Sequence, residues 1–174
     1  MMTKEHYYAI MTETPIGDIL LVGSEDGISN IDLNIKFKNS KNIPANLKKK
    51  YGFAPIESNR FFSDATKQLR EYFSGKRLTF DLKLDLSGVT PFRKKVYNQL
   101  LKVKNGEITS YGKLAQKSGG TAYSRAVGSA MANNPIPIII PCHRVIKSDG
   151  GLGGFGGGLP LKVLLLSLEG AKSN

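Results

Sequence analysis

The chain has 174 residues, with 25 Lys and Arg against 14 Asp and Glu, a formal net charge of +11 and a hydrophobic fraction of 40%. No apolar stretch approaches the roughly 18 residues of a membrane span, and Lys4 and Glu5 interrupt the start where a signal peptide would be apolar. A single cysteine excludes an internal disulfide framework. With only two histidines it also makes a poor set of zinc ligands, so a protein without metal or cofactor, in a reducing cytoplasmic setting, is expected. The surplus of positive charge fits either plain solubility or a polyanionic partner, nucleic acid first.

The length suits one or two small domains. In chain order, residues 7–11, 18–22 and 27–35 are short apolar segments separated by Pro15-Ile16-Gly17-Asp18 and Glu25-Asp26-Gly27, which predicts an antiparallel meander with tight turns. Residues 36–57 are polar and broken by Pro44, Gly52 and Pro55, a loop with one short helix; Lys48, Lys49 and Lys50 form its basic run. Phe61, Phe62, Ala65, Leu69, Tyr72 and Phe73 recur at helical spacing and predict a helix over 58–73, ended by Gly75. Alternation over 78–86 predicts one more strand. The fold class is therefore α+β, with a sheet domain over 1–86.

Character changes after Ser87-Gly88-Val89, and residues 87–174 read as a mostly helical domain. Thr90-Pro91 supplies a capping hydroxyl and a first-turn proline for a helix that Gly106 stops, with Arg93, Lys94 and Lys95 placed for phosphate contacts. A short helix over 111–117, a Ser118-Gly119-Gly120 turn and a helix over 122–132 describe a helix-turn-helix. A final helix covers 161–168.

Cys142 lies in Ile140-Pro141-Cys142-His143-Arg144-Val145, after an apolar run. A thiol becomes a nucleophile through its thiolate, and a neighbouring base raises that population. Adjacent side chains do not face each other on a regular strand or helix, so cooperation of Cys142 with His143 requires a turn or a bridging water, which Pro137 and Pro141 favour. A buried structural cysteine beside a structural histidine is the other reading of this pair.

Thr109-Ser110-Tyr111-Gly112, Ser124-Arg125-Ala126-Val127-Gly128-Ser129-Ala130, Asn133-Asn134-Pro135, the Cys142 segment and Leu168-Glu169-Gly170 occur in this order. Together they resemble the methylated-DNA–protein-cysteine methyltransferases, the O6-alkylguanine-DNA alkyltransferases, over residues 88–170. The resemblance implies a ribonuclease H-like N-terminal domain and a winged-helix-like C-terminal one. It also implies a monomeric DNA repair protein that takes the alkyl group of O6-alkylguanine in duplex DNA, and possibly of O4-alkylthymine, irreversibly. By resemblance, Cys142 is the acceptor, His143 the base acting through a water, Glu169 its orienter, and Tyr111 a donor towards guanine N3. Arg125 resembles the arginine that replaces the flipped nucleotide in the stack. Ala126 and Gly128 keep the recognition helix smooth for the minor groove, and Gly112, Arg93 and Ser148 join the DNA-facing set. Asn134 links the helix-turn-helix to the cysteine segment.

The run Gly150-Gly151-Leu152-Gly153-Gly154-Phe155-Gly156-Gly157-Gly158 lacks the downstream acid of a dinucleotide fingerprint and the Lys of a P-loop. By resemblance it lines the alkylguanine pocket, with Phe155 where tyrosine is frequent and Gly156 where serine often stands beside O6. A serine at 156 would strain the loop if the backbone there needs a positive φ. Three other functions compete. A damage-binding relative without the acceptor thiol is opposed by Cys142 itself. A helix-turn-helix transcription factor leaves the proline-flanked thiol unexplained. A Cys-His hydrolase would turn over many times.

Overall fold

A computed structural model describes residues 4–35 and 43–171. Three strands form the expected meander: β1 (Tyr7–Met11), β2 (Ile19–Ser24) and β3 (Gly27–Asp32), each antiparallel to the next. Every residue of β2 is buried because both faces are covered. Ile19 and Leu21 enter the main core, while Leu20 and Val22 enter a smaller one with Ile43 and Leu47. The alternation of strand side chains thus serves two cores at once. Gly27 makes the β2–β3 turn at φ +125°, and an added Cβ would lie 2.5 Å from the Lys83 carbonyl, so only glycine fits.

Helix α1 (Ile43–Tyr51) lies within the stretch read as a loop with one short helix, whose residues 36–42 fall outside the described residues. It leads to β4 (Ile56–Glu57), a two-residue edge parallel to β1, giving the order β3-β2-β1-β4. Helix α2 (Ser63–Phe73) starts five residues later than its spacing predicts. Ser58 instead continues the ladder, donating from its amide to the Tyr8 carbonyl at 2.8 Å, while Phe61 stacks on Tyr7 and Phe62 is buried from a turn. Residues 33–35, counted with the third strand, lie beyond its end.

The strand expected over 78–86 is not one. Only Leu84 forms an isolated bridge, to Ile28. The backbone of Asp81 pairs with the Gln68 side chain instead, its N–H and C=O each 2.9 Å from the amide. A glutamine thus takes the place of a neighbouring strand, while Leu82, Leu84 and Leu86 still pack on the core.

The second half follows its signals closely. Thr90 caps α3 (Pro91–Leu100), which stops before Gly106. Ser110 caps α4 (Tyr111–Ser118), and a 3-10 turn over Thr121–Tyr123 leads into α5 (Ser124–Ala132), completing the helix-turn-helix. Strands β5 (Thr109–Ser110) and β6 (Val145–Ile146) pair in parallel and bring the start of α4 beside the cysteine segment. Helix α6 (Leu159–Leu168) closes the fold. The halves share one core, and the Ile31 amide donates to the Pro135 carbonyl at 2.8 Å across their boundary. No helix among the described residues is long and apolar enough to cross a membrane.

Candidate active site

Cys142 opens a 3-10 turn, Cys142–Arg144, entered from Pro141. The chain before it is held in an unusual shape: Ile138 sits at φ +74°, a region a β-branched residue rarely occupies. Asn134 fixes that shape. Its side-chain amide donates to the Ile140 carbonyl at 2.8 Å, and its oxygen accepts from the Ile136 amide at 3.1 Å. The end of the helix-turn-helix is therefore tied to the cysteine segment through Asn134.

The turn directs His143 inwards, where it is fully buried. Its Nε2 lies 2.9 Å from Glu169 Oε1. Burial alone would raise the Glu169 carboxyl, but hydrogen bonds from His143 and Arg144, with the charge of the guanidinium, outweigh it and hold the group at about 2. An ionised carboxylate can only accept, so Nε2 carries the proton and Nδ1 keeps its lone pair. Nδ1 is buried with no partner among the described residues. Burial, with the charges of Arg144 and Lys162, also pushes the imidazole below its ordinary range against the pull of Glu169, so the ring rests neutral. This is the state of a base.

Burial likewise pushes the Cys142 thiol up. Hydrogen bonds from Asn134 and the backbone, with the charge of Lys162, offset this only in part. The resting sulfur is a protonated thiol that needs a base to become a nucleophile.

A cavity of about 480 Å³ opens on Cys142, lined also by Tyr111, Gly128, Met131, Phe155 and Gly156. The Tyr111 hydroxyl lies 3.4 Å from the Gly154 carbonyl, and burial raises it above its ordinary range, so it keeps its proton. Gly153, at φ +70°, allows this approach; a Cβ there would meet the Tyr111 hydroxyl at 2.9 Å. Gly156 differs: its φ lies outside the left-handed range and an added Cβ has open space, so the strain feared for a serine there does not arise.

Arg125 and Ser148 are exposed, and Ala126 and Arg93 half-buried. Arg93 reaches α5, its guanidinium 3.4 Å from the Ser129 hydroxyl. Gly112 sits against Ser148, whose hydroxyl would be 3.5 Å from an added Cβ. The residues expected to face DNA thus lie on α3 (Arg93), α4 (Gly112), α5 (Arg125, Ala126) and the turn after β6 (Ser148).

Three site residues escaped sequence reasoning. Arg144 holds Glu169 with Nε and Nη2 and donates from Nη1 to the Val103 carbonyl. Tyr72, from α2, donates to Glu169 Oε1 at 2.7 Å. Lys162, fully buried in α6, donates to the carbonyls of Val145, Leu152 and Gly154, and burial lowers it to about 8. Only Lys162 left a signal: a lone charge on the helix face shared with Leu165 and Leu166.

A buried thiol next to a neutral imidazole, opening onto a cavity beside a helix-turn-helix, defines a fold equipped for covalent chemistry at a cysteine. Residues 6–86 match the ribonuclease-like domain of 6-O-methylguanine DNA methyltransferase, and residues 91–171 its DNA-binding domain. The methylated-DNA–protein-cysteine methyltransferase of Methanosarcina acetivorans is 43% identical over 165 residues, 95% of this chain and 99% of the relative; that of Methanosarcina barkeri is 47% identical over 94% and 96%. The crystal structure of Mycobacterium tuberculosis O6-methylguanine methyltransferase superimposes with a TM-score of 0.79 at 37% identity, covering 94% of this chain and 92% of that one. The M. tuberculosis protein in complex with DNA gives 0.78 at 36%. The chain belongs to the 6-O-methylguanine DNA methyltransferase family.

Proposed function

We propose that this protein repairs alkylated DNA by moving the alkyl group of O6-alkylguanine onto the sulfur of Cys142. The observation that carries the assignment of roles is the buried His143–Glu169 pair, which leaves Nδ1 free as a base beside a protonated thiol. His143 takes the thiol proton through a water. Sulfur then bonds to the alkyl carbon as the carbon–O6 bond breaks, and the electron pair passes to the guanine. Tyr111, still protonated, donates towards N3 and stabilises the charge that develops on the leaving base. The thioether is not hydrolysed under mild conditions, so one molecule repairs one lesion.

Arg125 fills the gap left by the extruded nucleotide, and Gly112, Ala126, Arg93 and Ser148 contact the duplex. The net charge of +11 supports such a partner. We place the domain boundary between residues 86 and 87, a reading supported by family matches that stop at 86 and resume at 91. We assign the protein to the cytoplasm, since its chemistry needs a reduced thiol, and read it as a monomer from the family resemblance.

The test is the intact mass of the protein after incubation with a duplex carrying O6-methylguanine. One methyl group is gained, and peptide mapping finds it on Cys142. Cys142→Ser gains none, because a serine hydroxyl is far less ionised near neutral pH, yet it still binds DNA. A full methyl gain by the serine variant would sink the assignment. Repeated turnover would favour a hydrolase instead.

A further inference from the structure

We propose that Tyr72 is a positioning residue for alkyl transfer: its hydroxyl, delivered by α2 of the N-terminal half, fixes the Glu169 carboxylate and tunes how strongly it draws on His143. The proposal rests on the function proposed above.

Three donors meet at Glu169 Oε1: the Tyr72 hydroxyl at 2.7 Å, His143 Nε2 at 2.9 Å and Arg144 Nη2 at 2.8 Å. Oε2 takes Arg144 Nε at 2.8 Å. Arg144 alone therefore engages both oxygens and balances the buried charge, and a further neutral donor is not required for that. The phenol instead shares one oxygen with the imidazole. Each donor on an oxygen draws charge from it, so the hydroxyl weakens the carboxylate's hold on the His143 proton and makes the ring less basic.

The phenol cannot easily turn away. Tyr72 is 2% exposed, and its ring packs against Phe73 and Phe80 at centroid distances of 5.4 and 5.3 Å. Glu169, by contrast, stands just past the last residue of α6, where a side chain is loosely fixed by its own backbone. The N-terminal half thus supplies a rigid stop for the far end of the Cys142–His143–Glu169 relay, 97 residues away in sequence. The other groups that face His143 are Arg144 on its own turn, Lys162 from α6, the adjacent Cys142, and the edge of Phe155 at 6.5 Å between ring centroids.

The experiment is a single-turnover rate profile over about pH 5 to 9, spanning histidine titration, with a duplex carrying O6-methylguanine. Wild type and Tyr72→Phe are compared at saturating protein. Without the hydroxyl, Glu169 holds the imidazolium more strongly, so the acid limb moves to higher pH by about half to one unit, the reach of one neutral hydrogen bond. DNA affinity stays unchanged. Placing 3-fluorotyrosine at position 72 keeps the packing and strengthens the donor, so the limb moves to lower pH; this arm decides the matter if the phenylalanine variant folds poorly. If wild type transfers the methyl group and both altered proteins superimpose on its profile, Tyr72 is a packing residue and the proposal is overturned while the function stands. If wild type transfers nothing, both fall together.

Discussion

Arg144 grips both oxygens of Glu169, Nη2 on Oε1 and Nε on Oε2, each at 2.8 Å. The geometry is the parallel fork in which guanidinium and carboxylate fit best. Together with the His143 hydrogen bond, it keeps the carboxylate ionised in a place where burial alone would neutralise it.

That pairing sets an acid limit on the fold. The Glu169 carboxyl stands at about 2 in the folded protein, against an ordinary value of 4.5. A depressed pKa contributes stability that is fully present above the unfolded value and is lost as pH falls through the window from 4.5 to 2. The contribution is on the order of 3 kcal/mol. Glu169→Gln removes that part of the acid slope in urea titrations run at successive pH values. It also leaves Arg144 buried without a counter-charge, which costs about 3–5 kcal/mol at neutral pH. An unaltered acid slope would show that the pair does not govern acid unfolding.

The role proposed for Arg125 can be tested by separating base extrusion from chemistry. Extrusion costs a few kcal/mol and needs a group to fill the stack. Arg125→Ala slows single-turnover reaction with duplex O6-methylguanine sharply, while reaction with free O6-benzylguanine changes little. Equal losses on both substrates would assign Arg125 to the fold or the bond-making step.

Gly156 offers a gain. The site has room for a side chain and a φ outside the left-handed range, so Gly156→Ser keeps its melting temperature. A hydroxyl placed at O6 contributes about 0.5–1.5 kcal/mol to the transition state, which speeds transfer from a small O6-alkylguanine by roughly two- to tenfold. An unchanged rate with intact stability means that this part of the loop acts through shape alone.

Lys162 ties the glycine-rich loop to the strand after the cysteine. Its ammonium satisfies buried carbonyls of Val145, Leu152 and Gly154. Lys162→Met leaves them unpaired, at about 1–3 kcal/mol for each group that water does not reach. The variant melts at lower temperature, and hydrogen exchange quickens at residues 152–158 while α3 stays protected. Unchanged exchange in the loop would remove Lys162 from this role.

Much of the second half was legible because its signals are local. Thr90-Pro91 starts a helix by hydroxyl and ring chemistry that needs no partner, and a thiol preceded by two prolines and followed by a histidine announces a turn. The sheet half was less legible where distant groups intervene. The alternation at 78–86 does mark inward and outward residues, yet Gln68 takes the hydrogen bonds that would make a strand. The spacing of Phe61 and Phe62 suits a helix, but a turn buries Phe62 as well and leaves Phe61 exposed against Tyr7. Tyr72 and Arg144 were invisible for the same reason: an apolar helix face does not say where a phenol points, and an arginine in an apolar run does not name its carboxylate. The φ of Gly156 follows from the loop as a whole and not from its glycine count.

A reagent that works once must remain intact until it meets its target. Oxidants and disulfides in solution attack thiolates at the surface, and Cys142 is neither exposed nor ionised at rest. Its reactivity is kept latent by depth, and the imidazole proposed to release it is buried alongside. The shelf life of each molecule and the selectivity of its single reaction therefore come from the same few ångströms of covering protein.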